Sequence, residues 1–420
     1  MHRQVKLSGV QLSDLLLRLS HQTKNVFVLS SYSDNGWGKV LAWRPVAMLS
    51  CQSFQADGAR KKLSQFTAEQ QKLKRLVIGY ASYDFGCLLH GVALPAEDDL
   101  NMPLALAASF DNWFTFDASA AYIHSSDPGF VREVKQLLKQ PVRQLATSPY
   151  KSVLKPAQSR HWYHEAYQKI ENYIRAGDAY QVNLAQRLEA TTQTAGQDIF
   201  CLLSEASQTD FQAYIKAEGI EVISLSPERF IQVTGQRIKT SPIKGTRPRG
   251  LTPAQDDEQR QDLATSHKDR AELNMITDLM RNDLGVICKI GSVKIEQERL
   301  INAYPTLWHA HSTITGSLRP EISPITALIS MLPSGSITGC PKKRAMEIIN
   351  ELEPQRRGIY TGSIFSIDPS GNLDSSVAIR TMVKKASRLY LCAGGGIVYD
   401  SNEADEYRES TDKAAAFRIR

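Results

Sequence analysis

The stretch Phe230–Thr246, FIQVTGQRIKTSPIKGT, predicts an antiparallel hairpin followed by a tight glycine turn. Two strand-like runs, Phe230–Thr234 and Arg237–Pro242, flank Gly235 and Gln236, which suit a two-residue turn. With that turn, position 228 faces position 243 across the ladder, and Glu228 becomes a neighbour of Lys244. A register slip of one residue would reverse the facing side.

Lys244 is the residue of this stretch that matters most for chemistry, because a lysine inside a tight apolar turn is unusual. A lysine acts as a nucleophile only when neutral, so such a site must lower its pKa by desolvation or by neighbouring cations. Arg247 and Arg249 follow closely and are candidates to supply those cations. Taken alone, the segment favours an ordinary surface lysine, and the rest of the chain is needed to decide.

Outside this hairpin, the chain mixes further strands with amphipathic helices. Helical patterns occur around Val131–Leu138, His161–Arg175, Ser266–Asn282 and Pro341–Leu352, and from about Ala404 to the C-terminus. Strand patterns occur at Val26–Ser30, Leu76–Ala81, Tyr180–Leu188, Ser363–Ile367, Ser376–Val383 and Arg388–Cys392. Because regular strand–helix–strand alternation is missing, the pattern predicts an α+β fold. A connector is expected near 145–158, between a region over 1–150 and a second region from 157 onwards.

Composition limits the classes of function. The chain has 420 residues, 42% of them hydrophobic and 22% charged, with a net charge of +6, which is typical of a globular protein. The basic residues between Arg237 and Arg249 run directly into Asp256–Glu258 and lack interleaved aromatics, which disfavours nucleic-acid binding. The six cysteines form no C-x-x-C pair, and neither a signal peptide nor a membrane span is evident. A cytoplasmic location without membrane contact is therefore expected.

Two pairs of carboxylates are spaced for one helical face each. Asp269 and Glu272 are three residues apart, as are Glu406 and Glu409. Together they are candidates to hold one hard cation such as Mg2+, which prefers oxygen ligands. The alternative for each pair is a solvated helix face.

Three other features suggest an anion-binding site. Gly394-Gly395-Gly396 follows an apolar strand and offers bare N–H donors, although a strand end or bulge explains the glycines equally well. Arg380 ends the apolar run Val377–Ile379 and needs an anionic partner if buried. His309 and His311 lie two residues apart on an extended stretch, and we expect at most one of them to face a site.

In combination, these residues resemble the chorismate-utilising enzymes, a family that includes anthranilate, isochorismate, salicylate and aminodeoxychorismate synthases. The resemblance covers about 160–420 closely, and the earlier part weakly, mainly at Gly79–Asp84. The segments that carry it are Gly177–Leu184, Ser226–Phe230, Pro242–Thr246, Asp269–Glu272, Arg281–Leu284, Gly339–Lys342, Arg357–Gly362, Ala378–Arg380, Ala393–Val398 and Glu406–Lys413.

Two positions discriminate within the family. Lys244 stands where aminodeoxychorismate synthases carry Pro-Ile-Lys-Gly-Thr and anthranilate synthases Pro-Ile-Ala-Gly-Thr. Gln181 stands where isochorismate and salicylate synthases have a water-activating lysine. Both therefore indicate resemblance to component I of aminodeoxychorismate synthase, an enzyme of 4-aminobenzoate and folate biosynthesis. Anthranilate synthase component I is the alternative, and a non-catalytic anion-binding or scaffold subunit is the rival from another class.

The resemblance implies a large antiparallel-sheet sandwich with helices outside and two interlocked subdomains. These would be an anthranilate synthase component I-like region over 1–150 and a chorismate-binding catalytic domain over 157–420. It also implies a glutamine amidotransferase partner, component II, because this chain has no Gly-x-Cys-x-Gly motif of its own. Implied catalytic residues are Lys244 as nucleophile, Glu228 as general acid, and His309. Implied Mg2+ ligands are Glu272 and Glu409, with Glu406 and Asp269 in support. Implied chorismate contacts are Gln181, Gly245, Thr246, Ser336, Tyr360, Arg380, Gly394, Gly395, Gly396 and Lys413.

Overall fold

A computed structural model gives the structure of the chain and describes residues 3–19, 23–52, 56–143, 145, 154–304, 307–415 and 417. The strands are β1 (Arg3–Ser8), β2 (Val26–Ser30), β3 (Val40–Trp43), β4 (Ala47–Cys51), β5 (Leu76–Ala81), β6 (Ala105–Phe110), β7 (Trp113–Phe116), β8 (Ala120–Ser125), β9 (Lys155–Pro156), β10 (Gln181–Thr191), β11 (Phe211–Ala217), β12 (Ile220–Ser226), β13 (Arg229–Thr234), β14 (Arg237–Thr240), β15 (Ile243–Pro248), β16 (Lys294–Ala303), β17 (Leu307–Ser317), β18 (Gly339–Cys340), β19 (Ser363–Ile367), β20 (Leu373–Val377), β21 (Thr381–Lys385) and β22 (Arg388–Val398).

The helices are α1 (Leu12–Arg18), α2 (Ala56–Lys72), α3 (Tyr83–Leu89), α4 (Pro128–Leu137), α5 (Arg160–Arg175), α6 (Gly196–Ala206), α7 (Pro253–Thr265), α8 (His267–Ile287), α9 (Pro324–Met331), α10 (Lys342–Leu352) and α11 (Glu403–Ala415). A single 3-10 turn spans Gly335–Ile337. Ser266 caps α8 by accepting a hydrogen bond from the Asp269 N–H at 3.2 Å.

The strands form two antiparallel sheets. The first has the order β1-β8-β7-β3-β2-β11-β12-β21-β22-β10-β18, with β9 also paired to β10. The second has the order β15-β17-β14-β13-β20-β19-β5-β6-β4, with β16 also paired to β17. Each sheet therefore combines strands from the first 150 residues with strands from the rest of the chain.

An apolar layer joins the two sheets face to face. Phe27 of the first sheet belongs to the same buried cluster as Ile78 and Ile364 of the second. Helices α1, α4 and α6 cover the outer face of the first sheet, α5 and α10 cover its β10 end, and α2, α8 and α9 cover the second sheet. The predicted α+β sandwich with helices on the outside is thereby confirmed.

The hairpin of β13 and β14 has the predicted turn, because Thr234 pairs with Arg237 around Gly235 and Gln236. The ladder does not continue to positions 228 and 243, however, since β14 ends at Thr240 and β15 pairs with β17. Lys244 thus lies on a separate edge strand instead of in a turn at the end of β14.

Two predicted strand boundaries near the C-terminus are wrong. The run Ser376–Val383 is not one strand, because the chain leaves the second sheet after β20 and joins the first sheet at β21. Arg380 makes this crossing with a φ of 47°, a left-handed conformation that interrupts an extended strand. The glycine triplet is not a strand end, because β22 continues to Val398 and pairs with β10 throughout.

The connector predicted near 145–158 lies partly outside the described residues, which exclude 146–153. The division of the chain into regions 1–150 and 157–420 stays a prediction. In the part of the chain that the structure describes, no helix has both the length and the apolar character needed to cross a bilayer.

Candidate active site

A cavity of about 790 Å³ opens between the edge of the second sheet and the β22 side of the first. Its walls come from β10, β15, β17 and β22, from the N-terminal part of α8, from α11, and from the turn at Gly335–Ile337. Most of the site residues expected from sequence line it: Glu228, Lys244, Gly245, Thr246, Asp269, Glu272, His309, Ser336, Tyr360, Arg380, Gly394, Gly396, Glu406, Glu409 and Lys413.

A bulge in β15 presents Lys244 to this cavity. Ile243 pairs with His311 and Thr246 with His309, so Lys244 and Gly245 together stand opposite one residue of β17. Such a bulge redirects a side chain away from the regular alternation of a strand. Gly245 is required here because its φ is 86° and because a methyl group on it would approach Leu263 to 2.8 Å.

The bulge also brings Lys244 close to helix α8. The Lys244 Nζ lies 3.9 Å from Glu272 Oε2, and both side chains are largely buried. Arg247 and Arg249, the arginines that the sequence suggests as cations beside Lys244, pair with carboxylates instead. Arg247 pairs with Asp262 and Asp269, and Arg249 pairs with Asp256, because each arginine finds a carboxylate on or beside α7 and α8.

Glu228 faces the same cavity and is only 4% exposed. Its Oε1 accepts a hydrogen bond of 2.7 Å from the Ser336 hydroxyl. Burial raises the pKa of Glu228 to about 7, although the Ser336 hydroxyl and the Lys244 charge both oppose this rise. A carboxyl group that is half protonated near neutral pH is suited to general acid catalysis.

Replacing Glu228 with glutamine is expected to stabilise the fold above pH 7 by up to about 3 kcal/mol relative to acidic pH. The carboxyl ionises near its ordinary pKa of 4.5 in the unfolded chain and near 7 in the folded chain. Its ionisation therefore destabilises the fold increasingly as pH rises through this interval, whereas the amide cannot ionise. Denaturant unfolding of both proteins from pH 4 to 8 measures the difference. A stability difference that does not change with pH would contradict the raised pKa.

His309 lies beside Thr246 at the back of the cavity, while His311 does not line it. The His309 Nδ1 is 2.9 Å from the Thr246 hydroxyl, and its ring contacts Tyr304 edge-on. Burial lowers the pKa of His309 to about 4, with further contributions from Arg380 and His311. His309 is therefore a neutral hydrogen-bonding group near pH 7.

Arg380 brings a positive charge to the cavity wall. Among the described residues, none accepts a hydrogen bond from its guanidinium, and burial lowers its pKa. A guanidinium nevertheless stays charged near neutral pH. A partly buried cation without a protein partner favours an anionic ligand.

Tyr360 is a second candidate to contact an anion. Burial raises its pKa, so its phenol stays a hydrogen-bond donor at neutral pH, and the Gly394 backbone lies against that phenol. The Arg357 guanidinium packs 5.5 Å from the Tyr360 ring and forms a buried ion pair with Glu353 at 2.6 Å. The same guanidinium donates to the Asn183 carbonyl at 2.8 Å, which fixes Tyr360 relative to β10.

Carboxylates of α8 and α11 line the same cavity. Glu406 accepts a hydrogen bond from Ser401 Oγ at 2.7 Å, and burial together with the Glu409 charge raises its pKa. Burial opposes the ionisation of Glu409, but Lys413, Lys244 and Lys268 together outweigh it and lower the pKa of that carboxyl. The Lys413 Nζ is 2.7 Å from Glu409 Oε1 and 2.9 Å from the Gly394 carbonyl oxygen.

These carboxylates are oxygen donors of the kind that a hard cation prefers, and Glu272, Glu406 and Glu409 all line one cavity. A bound cation would also relieve the repulsion between Glu406 and Glu409. Asp269 fits less well, since Arg247 already holds it at 3.0 Å. Among the described residues, no three acidic, histidine or cysteine side chains are gathered as a metal site. The predicted Mg2+ and its ligands therefore stay a prediction.

The chain was compared with known proteins. A family model described as chorismate binding enzyme matches residues 24–418. The chain belongs to the chorismate-binding enzyme family. Aminodeoxychorismate synthase component 1 of Klebsiella aerogenes is 41% identical over 339 residues, covering 80% of this chain and 75% of that protein. The protein of the same name from Escherichia coli is 40% identical, covering 80% and 74%.

The fold of the family is also seen in solved structures. Anthranilate synthase component I from Streptococcus pneumoniae superimposes with a TM-score of 0.80 and 26% sequence identity, covering 93% of this chain and 92% of that one. The resemblance to chorismate-utilising enzymes inferred from sequence motifs is thus confirmed.

Two residues that the family resemblance placed at the substrate do not reach the cavity wall. Gln181 is fully buried behind Gly396, where a methyl group would approach its Nε2 to 2.5 Å. Successive residues of a strand face opposite sides of the sheet, so Gly395 lies on the face of β22 opposite to that of Gly394 and Gly396. On that face it lies against Glu406. Gly395 therefore makes room for α11 instead of lining the substrate cavity.

Sequence reasoning missed other residues that line this cavity. Asn183 lines it from β10, two residues beyond Gln181 and on the same face. Lys268 lines it at the start of α8 and acts on both Glu406 and Glu409. Strand alternation within Gln181–Asn183 would have indicated Asn183, whereas Lys268 depends on how α8 and α11 approach each other.

Proposed function

We propose that the protein acts as component 1 of aminodeoxychorismate synthase, converting chorismate and ammonia to 4-amino-4-deoxychorismate. The observation that carries this proposal is the presence of Lys244 and Glu228 in one cavity, each largely buried. A nucleophile and an acid on neighbouring walls are what displacement of a hydroxyl group requires. The high identity to two proteins of this name supports the same conclusion.

Lys244 and Glu228 would cooperate in the first step. The Lys244 amine, once it has lost its proton, forms a bond to C2 of chorismate, the ring double bonds shift, and the C4–O bond breaks. Glu228 gives its proton to the departing oxygen, which leaves as water. Because its pKa is about 7, Glu228 is partly protonated at neutral pH and can fill this role.

Ammonia would then complete the reaction. Its nitrogen bonds to C4, the double bonds shift back, and the bond between C2 and Lys244 breaks, which restores the free amine. Glu228 recovers its proton from the ammonium that forms. We further propose that a glutamine amidotransferase subunit supplies the ammonia in a cytoplasmic complex, and that the product feeds 4-aminobenzoate and folate synthesis.

The two carboxylates of chorismate would bind at opposite sides of the cavity. Arg380, whose charge has no described protein partner, would pair with one of them, and the Tyr360 phenol would add a hydrogen bond. The other carboxylate would lie towards α8 and α11. Glu272 and Glu409 would hold a Mg2+ ion there, with Glu406 close by, and the ion would neutralise negative charge between enzyme and substrate.

Replacing Glu409 with glutamine is expected to raise the Mg2+ dissociation constant tenfold or more, because a charged oxygen ligand is lost. Isothermal titration of the protein with Mg2+ measures this constant without turnover. Asp412→Asn is the matched control, since it removes one charge from the same helix without removing a proposed ligand. Equal Mg2+ affinity in the Glu409→Gln protein and the unchanged protein would count against this assignment.

Incubation with chorismate, Mg2+ and ammonium tests the proposed function directly. The expected product is 4-amino-4-deoxychorismate, identified by mass, with no fluorescent anthranilate. Accumulation of anthranilate would instead assign the protein to anthranilate synthase, whose solved representative shares this fold. No turnover with free ammonium would favour a non-catalytic subunit.

A further inference from the structure

One oxygen of the Glu228 carboxyl stands at the end of a chain of two serine hydroxyls. The Ser336 Oγ donates to Glu228 Oε1 at 2.7 Å, and the Ser334 Oγ lies 3.0 Å from the Ser336 Oγ. The three side chains are nearly inaccessible to solvent, with exposures of 3 to 4%. Ser336 lines the cavity together with Glu228, whereas Ser334 lies behind it.

The direction of these hydrogen bonds follows from counting protons. A serine hydroxyl has one hydrogen, and the ionised Glu228 carboxylate can only accept, so Ser336 gives its hydrogen to Oε1 in that state. The Ser334 Oγ already accepts from the Ser336 N–H at 3.4 Å. The contact between the two serines therefore requires Ser334 to be the donor and Ser336 the acceptor. The chain of donation runs from Ser334 through Ser336 to Oε1, and each bond polarises the next.

The backbone of Glu228 is fixed as well. Its N–H donates to the Ser226 Oγ at 3.2 Å, and its carbonyl accepts from the Val377 N–H at 3.1 Å. With Oε1 occupied by Ser336, Oε2 is the remaining carboxyl oxygen. No described residue donates a hydrogen bond to Oε2. This oxygen is also not among the fully buried polar atoms that lack a partner, so it is accessible from the cavity.

We propose that Ser334 and Ser336 form a directional hydroxyl relay that keeps the acidic proton of Glu228 on Oε2, where it faces the substrate. Placing the proton on Oε1 would require Ser336 to become the acceptor and Ser334 to reverse its hydrogen bond as well. This inference rests on the proposed function, in which Glu228 is the general acid. Ser334 and Ser336 act as positioning residues for that acid.

The charges around Glu228 determine how the relay affects its titration. Among the described residues, Lys244 of β15 is the charged group that acts on Glu228, while Arg380 lines the same cavity. Lys244 and the Ser336 hydroxyl both stabilise the carboxylate, and Ser336 contributes more. Removing the hydroxyl should therefore favour the protonated acid and move its titration to higher pH.

Ser336→Ala and Ser334→Ala test the relay. In the Ser336→Ala protein we expect the basic limb of the pH profile for kcat to move up by about one pH unit, because a hydrogen bond to a charged group is lost. Ser334→Ala should move it less, in the same direction. In both proteins kcat below the limb should fall roughly tenfold through loss of orientation, with a nearly unchanged KM for chorismate.

Infrared titration provides a second readout that needs no turnover. The carbonyl band of protonated Glu228 is identified by its absence in the Glu228→Gln protein, and its midpoint should rise in Ser336→Ala. Ser109→Ala is the matched control, because Ser109 is a buried serine that donates to the Gln70 side chain away from the cavity. It should leave the midpoint and the pH limb in place.

The outcomes separate the relay from the proposed function. An infrared midpoint and pH limb that stay unchanged in both serine variants would overturn the relay, even if the protein aminates chorismate. A shifted infrared midpoint would support the relay even if Glu228→Gln kept full activity, a result that would remove Glu228 from the proposed mechanism instead.

Discussion

Lys244→Ala is expected to lower kcat for amination of chorismate about a thousandfold at limiting ammonium. The alanine protein has no amine to form the bond to C2, so ammonia would have to displace the hydroxyl group in one harder step. The KM for chorismate should change little, because Arg380 and the other proposed carboxylate contacts remain. Steady-state rates with free ammonium measure the effect without a partner subunit.

Lys239→Ala is the control for this substitution. Lys239 lies on β14, which β17 separates from β15 in the sheet, and it does not line the cavity. Its loss should therefore leave kcat within about twofold of the unchanged protein. Lys244→Arg keeps the positive charge but not a nucleophilic amine, and should be as inactive as Lys244→Ala. An active Lys244→Ala protein would point to a charge or binding role for this residue.

Glu228→Gln is the second substitution with a large expected effect, a loss of 10²- to 10⁴-fold in kcat. The amide keeps the shape of the side chain and still accepts the Ser336 hydrogen bond, but it has no acidic proton for the leaving hydroxyl group. Because the protonated acid is the active form, the activity of the unchanged protein should fall as pH rises through about 7. This limb should be missing from the residual activity of Glu228→Gln.

Rate measurements between pH 5 and 9 test this prediction. Glu296→Gln serves as a control for the charge change, since Glu296 is an exposed partner of Arg237 outside the cavity. A basic limb that survives in Glu228→Gln would assign the limb to another group. The same variant is expected to be more stable above pH 7, so loss of activity through unfolding can be distinguished from loss of the acid.

Local sequence patterns predicted the hairpin. They also placed Glu228 near Lys244, but through a pairing of positions 228 and 243 that the ladder does not contain. They did not predict how Lys244 reaches the cavity. The bulge at Lys244 and Gly245 depends on pairing with β17, some 65 residues later, and on the close approach of α8 to Gly245. The pattern Pro-Ile-Lys-Gly-Thr predicts a tight glycine turn, whereas the left-handed conformation of Gly245 forms part of a bulge.

The crossing at Arg380 shows a second limit. The residues from 376 to 383 have the apolar pattern of one strand, but the two halves belong to different sheets. Both sheets bury these residues, so hydrophobicity alone cannot reveal where the chain changes sheets. This crossing places the Arg380 guanidinium between the two sheets at the cavity, which explains why a cation without a described partner interrupts an apolar run.

Electrostatic partners were the least predictable part of the site. Arg247 and Arg249 follow Lys244 in sequence, yet both turn to carboxylates of the α7 and α8 region. Ion pairs depend on side-chain direction in the folded chain, which spacing in sequence does not give. The acidic pairs on α8 and α11, in contrast, were recognised because helical periodicity fixes which residues share a face.

Mass spectrometry of the intact protein after exposure to chorismate without ammonia tests the covalent role of Lys244 most directly. We predict a mass gain equal to chorismate minus one water, located on the peptide that contains Lys244 and missing from Lys244→Ala. Addition of ammonium should restore the original mass and release 4-amino-4-deoxychorismate. A protein that aminates chorismate without ever carrying this adduct, or that carries it on another residue, would contradict the account.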